Sequence, residues 1–196
     1  MKVVGVGCGP HMATEEAISI ISSATEIYGS RQAVERVRSY IREDASICYC
    51  YDKKVLALLP EDAVVLSTGD PLMAGLGTLP SACVTPGISS MQLACARLNL
   101  PWDMLCIVNA HGTDHGSATR RACHAIDDGF SVFLIADPTF SVPTLAEALV
   151  HTDRELCIAV CEDLGYPNER IACGTVHAPP VCMSSLFCVV VWEDLV

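Results

Sequence analysis

Ser67-Thr68-Gly69-Asp70-Pro71, running on to Gly75 and Gly77, and Thr85-Pro86-Gly87-Ile88-Ser89-Ser90 are the two stretches from which the fold is read. Each follows a short apolar, β-branched run, Ala63 to Leu66 in one case and Cys83-Val84 in the other. Each precedes a stretch with helical spacing, so both read as strand-to-helix turns. In an open parallel sheet such turns converge on one edge, where loops and helix N-termini present unpaired backbone N–H groups to a ligand. A carboxylate between Gly and Pro suits a loop that brings backbone close to a small molecule while a residue of fixed φ holds its shape. These two loops are the expected binding site.

A chain of 196 residues can form one large domain or two small ones. Hydrophobic residues make up 51% and charged residues 18%, which suits a compact α/β protein and argues against extensive disorder. No apolar run approaches the roughly 20 residues needed to cross a bilayer. Met1 to Gly7 enters a strand-like run directly, with no signal-peptide pattern, so a cytoplasmic protein is expected. The twelve cysteines are scattered at apolar positions such as Cys95, Cys106, Cys157 and Cys188, without C-x-x-C spacing. They read as reduced, buried thiols, and no metal site is expected. With 23 acidic against 12 basic side chains, the formal charge of -11 disfavours nucleic acid and anionic membranes and leaves a small molecule as the expected partner.

Lys2 to Val6 reads as a buried strand, and Gly5, Gly7, Gly9 and Pro10 as its exit turn before Thr14, a helix N-cap. The spacing is not that of a dinucleotide-binding fingerprint. A helix over Glu15 to Ala24 and a strand over Glu26 to Tyr28 follow, and Gly29-Ser30 then caps a second helix lined by Ala33, Val34, Val37, Tyr40 and Ile41. Arg31, Arg36, Arg38 and Arg42 on that helix read as a solvated face; the alternative is that Arg31, at its start, holds an anionic ligand. Between Ala45 and Asp62 only a short helix, Lys53 to Leu59, is read. Ser89 and Ser90 open the helix after the second key loop, either as caps or as donors to a carboxylate or an adenine edge.

Met104 to Val108 reads as a further strand. The polar, Gly-rich segment from Asn109 to Gly116 then marks the expected boundary between domains 1–108 and 109–196. His111 and His115 within it read as part of a linker lining a cleft, since histidines four apart point to a metal only on a helix and two glycines interrupt this stretch. Beyond it come a helix from Ala118 to Ile126, a strand from Ser131 to Ile135 and the turn Asp137-Pro138, which repeats the position of Asp70-Pro71. A helix follows from Pro143 to Val150, and then strands over Leu156 to Cys161, Ile171 to Val176 and Phe187 to Trp192. The last two have no helix between them, so the second half is expected to be a mixed sheet ending in antiparallel pairing.

Several motifs in order carry a resemblance over nearly the whole chain. They are Val4-Gly5-Val6-Gly7-Cys8-Gly9-Pro10, Tyr28-Gly29-Ser30-Arg31, Ser67-Thr68-Gly69-Asp70-Pro71-Leu72 and Val84-Thr85-Pro86-Gly87-Ile88-Ser89-Ser90. Ala96-Arg97-Leu98 before Pro101-Trp102, His111-Gly112, and Leu164-Gly165-Tyr166-Pro167-Asn168-Glu169-Arg170-Ile171 before Gly174-Thr175 complete the series. Together they resemble the tetrapyrrole (precorrin) methylase superfamily. The Tyr28 and Leu164 segments resemble its cobalt-precorrin-7 C-5 branch, the precorrin-6Y methylase C-5 component of cobalamin biosynthesis. His11-Met12-Ala13-Thr14 departs from the more apolar stretch usual after Gly9-Pro10.

The resemblance implies an α/β protein of two domains, the first with a mostly parallel sheet and the second with a mixed one, and S-adenosylmethionine in a cleft between them. The implied cofactor contacts are Pro10, Gly69, Asp70, Met73, Ser89 and Ser90, with Ala136, Asp137, Gly174 and Thr175 from the second domain. The implied partners are a cobalt-precorrin substrate, a second copy of the chain in a homodimer, and a separate C-15 methyltransferase and decarboxylase. The alternatives are a methylase of the same superfamily acting on another corrinoid position, on diphthine or on ribosomal RNA, and a non-catalytic tetrapyrrole or nucleotide carrier. A sulfonium methyl is already activated, so the protein's main task is alignment and exclusion of water. His111 and Glu162 are the candidates for a base that removes the displaced proton. Because a substrate with many carboxylates meets an acidic chain, binding must use local donors such as Arg31, Arg97 or Arg120.

Overall fold

The computed structural model describes residues 1–50, 52–152 and 154–193. Five short strands, β1 (Lys2–Gly5), β2 (Glu26–Gly29), β3 (Ser46–Cys48), β4 (Val64–Ser67) and β5 (Cys83–Thr85), form an all-parallel sheet in the order β3-β2-β4-β1-β5. The intervening helices are α1 (Glu15–Ser23), α2 (Arg31–Arg36), α3 (Lys53–Leu56) and α4 (Pro71–Ala74). Thr14 caps α1 by accepting the Ala17 N–H at 3.1 Å, and Glu15 and Glu16 sit where the helix dipole favours negative charge. Ser30 caps α2 in the same way, from Ala33 at 3.2 Å. The expected second helix is divided: α2 ends at Arg36 with Val37 as its cap, and Arg38–Tyr40 turns on as a 3-10 helix. β3 lies in the stretch where no strand was read, because three residues are too few to show alternation.

Both faces of this sheet are covered, as a parallel sheet requires. Val4, Val6 and Leu66 pack with Ala17, Ile21, Ile27 and Val34 on one side; Val3 and Val65 pack with Leu56, Leu76 and Leu79 on the other. α5 (Ser90–Leu98) follows β5, and the contacts of the chain divide inside it, into Met1–Gln92 and Leu93–Val196. That division falls earlier than the expected 108/109. The strand read at Met104 to Val108 is β6 (Leu105–Asn109), and it pairs in parallel with β7 (Ser131–Ile135), which makes it an edge of the second sheet. The segment expected to link two domains is therefore the turn from β6 into α6 (His115–Asp127), within the second unit. Residues 194–196 of the expected second domain lie outside the described residues.

The second sheet has the order β6-β7-β10-β8-β9, with β8 at Leu156–Glu162, β9 at Arg170–Thr175 and β10 at Phe187–Glu193. β10 is antiparallel to β7 and β8, and β8 is antiparallel to β9, so the sheet is mixed as expected. α6 and α7 (Val142–Leu149) cover one face, with Ala118, Ala122, Ile126, Leu145 and Leu149 against Val132, Leu134, Ile158, Val160 and Val189. β9 and β10 do not pair with each other. Both flank β8, so residues 176–186 must cross the sheet as a strap from the end of β9 to the start of β10.

A buried carboxylate pins that strap. Glu162 is 1% exposed and accepts hydrogen bonds from the N–H of Met183 and, at 2.7 Å, of Ser184. It also pairs with the Arg170 guanidinium, which donates in turn to the Val181 carbonyl at 3.2 Å. Gly174 lies beneath the strap: a Cβ there would press on the Ala178 carbonyl and come within 3.2 Å of the Pro180 ring. Burial pushes the Glu162 carboxyl up, but the bonds from Met183, Arg170, Ser184 and Cys182 outweigh it and hold the group below its ordinary value. A depressed folded value means that the stabilisation is complete above the unfolded-state pKa of about 4.3 and is lost as pH falls through the folded value. Glu162→Ala is expected to lower the unfolding free energy by about 3–5 kcal/mol at neutral pH, because it leaves the guanidinium and two N–H groups without their acceptor. Urea denaturation at pH 7 and below pH 4 checks this: the gap between variant and wild type should narrow in acid, and an unchanged midpoint at pH 7 would contradict the latch.

Candidate active site

In the first unit β4, β1 and β5 are adjacent, so the loops that leave their C-terminal ends lie side by side. Backbone joins them directly. The Val6 N–H donates to the Ser67 carbonyl at 2.9 Å, Gly69 to Gly7 at 2.8 Å, and Cys8 to Ile88 at 2.8 Å. Gly5 and Gly87 are in backbone contact beside the Gly69 carbonyl. A Cβ on Gly5 would lie 2.6 Å from the Gly87 nitrogen, and one on Gly87 would lie 2.9 Å from the Gly5 Cα and closer still to the Gly69 oxygen. Side chains are excluded there, so backbone groups form the surface of the edge. Pro10, Gly69, Asp70, Met73, Ser89 and Ser90 all belong to these loops and their helix starts, and the structure brings them to this one edge.

Within that cluster Asp70 acts as a clamp. One carboxylate oxygen accepts the Leu72 N–H at 2.8 Å and caps α4; the other accepts the Gly87 N–H at 3.2 Å and ties the β4 loop to the β5 loop. Ser89, 2% exposed, is equally committed. Its N–H and hydroxyl donate to the Gln92 side-chain oxygen at 2.8 and 2.9 Å, and its hydroxyl accepts the Gln92 N–H at 3.2 Å, a reciprocal helix cap. Gln92, three residues after Ser89, is the sequence signal for this cap. Ser90, Met73 and Pro10 are half-buried. Gly69 has φ +66° and nothing within 4 Å of the position a Cβ would take, so its backbone faces open space. Ser67, fully buried at the end of β4, has a hydroxyl with no hydrogen-bond partner among the described residues.

Two arginines take places the sequence reading did not give them. Arg36, read as part of a solvated face, donates to the Gly7 carbonyl at 2.5 Å and so braces the β1 loop from α2. Its signal is its position three residues after buried Ala33, beside the apolar stripe. Arg97, expected as a substrate donor, pairs with Glu169 at 2.6 Å, and Glu169 accepts the Gly165 N–H at 2.6 Å, holding the β8–β9 loop. Arg120 is exposed and lies 3.7 Å from Asp114.

In the second unit the loops after β6 and β7 share an edge, and Asp137 joins them. Its carboxylate accepts the Thr139 hydroxyl at 2.6 Å, the Thr139 N–H at 2.9 Å, the Gly112 N–H at 3.3 Å and His115 Nε2 at 2.9 Å. Hydrogen bonds from the Thr139 hydroxyl, from His115 and from the Thr139 N–H hold this carboxyl far below the usual carboxylate range. His115 opens α6 rather than lying in a linker, and its ring meets the Phe140 ring edge-on at 5.3 Å. His111 Nδ1 lies 3.4 Å from the Ala136 carbonyl, so the structure does bring His111, Ala136 and Asp137 together. It does not bring Gly174 and Thr175 to them. Gly174 is level with Ile158, Val191 and Val132, whereas Ala136 and Asp137 lie beyond Ile135, level with Cys188 and Cys161. At about 3.3 Å per residue and 4.8 Å per strand, Asp137 and Gly174 are roughly 20 Å apart. Gly174 and Thr175 instead shape the turn into the strap, where the Thr175 oxygens accept from the Ala178 N–H. Glu162, proposed from sequence as a base, has both oxygens committed to the latch, so it serves the fold.

Residues 2–179 match the Tetrapyrrole (Corrin/Porphyrin) Methylases family. The chain belongs to this family. It is therefore a methyltransferase, and the glycine-lined edge belongs to a tetrapyrrole methylase fold. The chain is 27% identical to a probable cobalt-precorrin-7 C(5)-methyltransferase of Methanocaldococcus jannaschii, over 87% of this chain and 86% of that protein. The crystal structure of a cobalamin biosynthesis precorrin-6Y methylase from Archaeoglobus fulgidus is 26% identical and superposes with a TM-score of 0.72, over 100% of this chain and 98% of that one. A uroporphyrin-III C-methyltransferase of Thermus thermophilus, solved with S-adenosyl homocysteine, shares the fold at 18% identity and a TM-score of 0.70, over 96% of this chain and 90% of that one. Among the described residues of this tetrapyrrole methylase, no helix is long and apolar enough to cross a membrane.

The clamp predicts distinct costs. Asp70→Ala removes a helix cap and one inter-loop bond and is expected to cost about 1–2 kcal/mol. Gly87→Ala forces a methyl group into backbone that cannot move aside and is expected to cost about 1–3 kcal/mol. Chemical denaturation of both variants tests this, and a Gly87→Ala protein as stable as wild type would show that the loops are not packed as described.

Proposed function

We propose that this tetrapyrrole methylase transfers a methyl group from S-adenosylmethionine to C-5 of cobalt-precorrin-7 in cobalamin biosynthesis. The observation that carries the reading is the glycine-lined edge of three adjacent loops, in a chain similar over most of its length to proteins named for that reaction. The donor, when bound, supplies an activated methyl group on a cationic sulfur. The residues present fit such a molecule: the edge is backbone rather than side chain, Gly69 faces open space, and the one carboxylate of the loop cluster belongs to Asp70. Asp70 fixes the loops and places negative charge near a cation, although both its oxygens are engaged by N–H groups. Pro10, Gly69, Met73, Ser89 and Ser90 are the proposed donor contacts in this unit, with the Ser89 cap setting the direction of α5. Ala136 and Asp137, implied by the resemblance, stand together at the β6–β7 edge of the second unit. Gly174 and Thr175, implied by the resemblance, act first on the strap.

Little acid–base work is asked of the chain. An electron-rich macrocycle attacks the methyl group directly, and the protein aligns the two and excludes water. His111, exposed beside the β7 turn, is the proposed acceptor of the proton displaced from C-5. The wider reading includes a cytoplasmic homodimer working with a separate C-15 methyltransferase and decarboxylase. The twelve free cysteines support a reducing compartment.

The test is incubation with cobalt-precorrin-7 and S-adenosylmethionine carrying a 13C methyl group. One methyl transferred, with the label at C-5 by NMR, is the expected result; a label elsewhere on the ring would reassign the position. Binding of S-adenosylhomocysteine without turnover on any corrinoid would move the reading to another acceptor. No binding of it by folded protein would favour a carrier. His111→Ala should slow turnover at least tenfold without changing donor affinity if His111 takes the proton.

A further inference from the structure

The C-terminal edge of the first sheet extends past the three-loop cluster to β2 and β3, and two side chains stand there together. Arg31, the first residue after the Ser30 cap, holds its guanidinium 5.0 Å above the centre of the Tyr49 ring, and Tyr49 follows β3 directly. Both are exposed, Tyr49 by 50%. The chain's other arginines are mostly spent within the fold. Arg42, Arg97, Arg120, Arg154 and Arg170 pair with carboxylates, and Arg36 bonds to the Gly7 carbonyl. Arg38 lies past the far end of α2, and Arg121 belongs to the second unit. Among the described residues Arg31 makes no ion pair, in a chain of formal charge -11 where carboxylates are plentiful.

A guanidinium held over an aromatic ring by a cation–π contact is restrained without an acceptor, so its N–H donors stay available. Those donors match a carboxylate in bidentate geometry. The place is also right. β2 lies between β4 and β3, and the guanidinium over Tyr49 stands toward β3, so it is about two strand spacings, roughly 10 Å, to the side of the Gly69–Asp70 loop. A macrocycle whose reacting carbon sits at that loop has a rim that reaches the guanidinium.

We propose that Arg31, held by Tyr49, is the subsite that receives a peripheral carboxylate of the macrocycle. This rests on the tetrapyrrole reading given above and adds to it a named specificity residue. It also resolves the charge conflict. An acidic chain repels an acidic substrate at long range, so recognition falls to a short-range, preorganised cation. Tyr49 supplies the preorganisation that an acidic partner would otherwise give, without neutralising the charge.

The experiment compares cobyrinic acid, a corrinoid bearing free carboxylates, with its heptamethyl ester, by equilibrium dialysis, and titrates S-adenosylhomocysteine in parallel by calorimetry. Wild type should bind the acid in preference to the ester. Arg31→Ala should weaken binding of the acid about tenfold or more, leave the ester unchanged, and leave S-adenosylhomocysteine affinity unchanged. Tyr49→Leu should weaken the acid about two- to fivefold through loss of the stacking surface. Equal affinity of wild type and Arg31→Ala for the acid, with the cofactor analogue still bound, would overturn the subsite alone. Failure of wild type to bind the acid at all, with the analogue bound, would overturn the subsite and the corrinoid substrate together. Failure to bind the analogue would instead strike the methyl-transfer reading, and the acid-against-ester comparison would still decide the subsite.

Discussion

Contact between bare backbones is the constraint on which the first unit depends. Gly5 and Gly87 touch where no Cβ can be accommodated, beside the Gly69 carbonyl, and this lets three strand exits lie closer than side chains would permit. The closeness has a chemical consequence. Where loops meet through glycine, the surface they offer is made of amide N–H and carbonyl groups at fixed spacing, which suits a small polar cofactor better than flexible side chains do. Asp70 keeps the arrangement from opening, because a single carboxylate caps α4 and holds Gly87. Arg36 braces the third loop through the Gly7 carbonyl.

The second unit is organised on a different principle, by buried or half-buried carboxylates that gather backbone N–H groups. Glu162 holds the strap that lets β9 and β10 flank β8, and Asp137 binds the β6 turn to the β7 turn through Gly112, His115 and Thr139. In both cases an acid at the end of an apolar strand or in the turn just beyond it is tolerated because several donors converge on it. These are acids that a search for catalytic residues would single out, and their partners show that their first task is architectural. Asp70, Glu162 and Glu169 share this character, which accounts for part of the acidic excess without any ligand.

Much of this was legible in advance. The strand–turn–helix rhythm, the parallel first sheet, the mixed second sheet and the clustering of the Gly69 and Gly87 loops follow from local patterns that survive folding. β-branched runs make strands, Gly and Pro punctuate them, and parallel strands deliver their exits to one edge. Local pattern also hides some of the structure. A polar, Gly-rich stretch around His111 looks like a linker, because nothing in it shows that β6 will pair with β7. Arg36 looks solvated, and Glu162 looks like a free acid at a strand end, because their partners lie 29 and 21 residues away in sequence.

Residue types at short spacing are enough to set most of the elements, the class of fold and the family; β3, three residues long, and the break that divides the expected second helix are not visible at that range. Which residues are committed and which remain available depends on contacts between distant parts of the chain. Asp70, Arg97 and Glu162 spend hydrogen-bonding capacity on neighbours brought in by sheet order and crossover connections. Gly174 is separated from Asp137 by strand register, although the two were expected to act together. Among the described residues Arg31 makes no ion pair, and it stands over the Tyr49 ring that follows β3. A hydrogen bond depends on distances of an ångström or less, and those are set by how strands pair across the whole sheet.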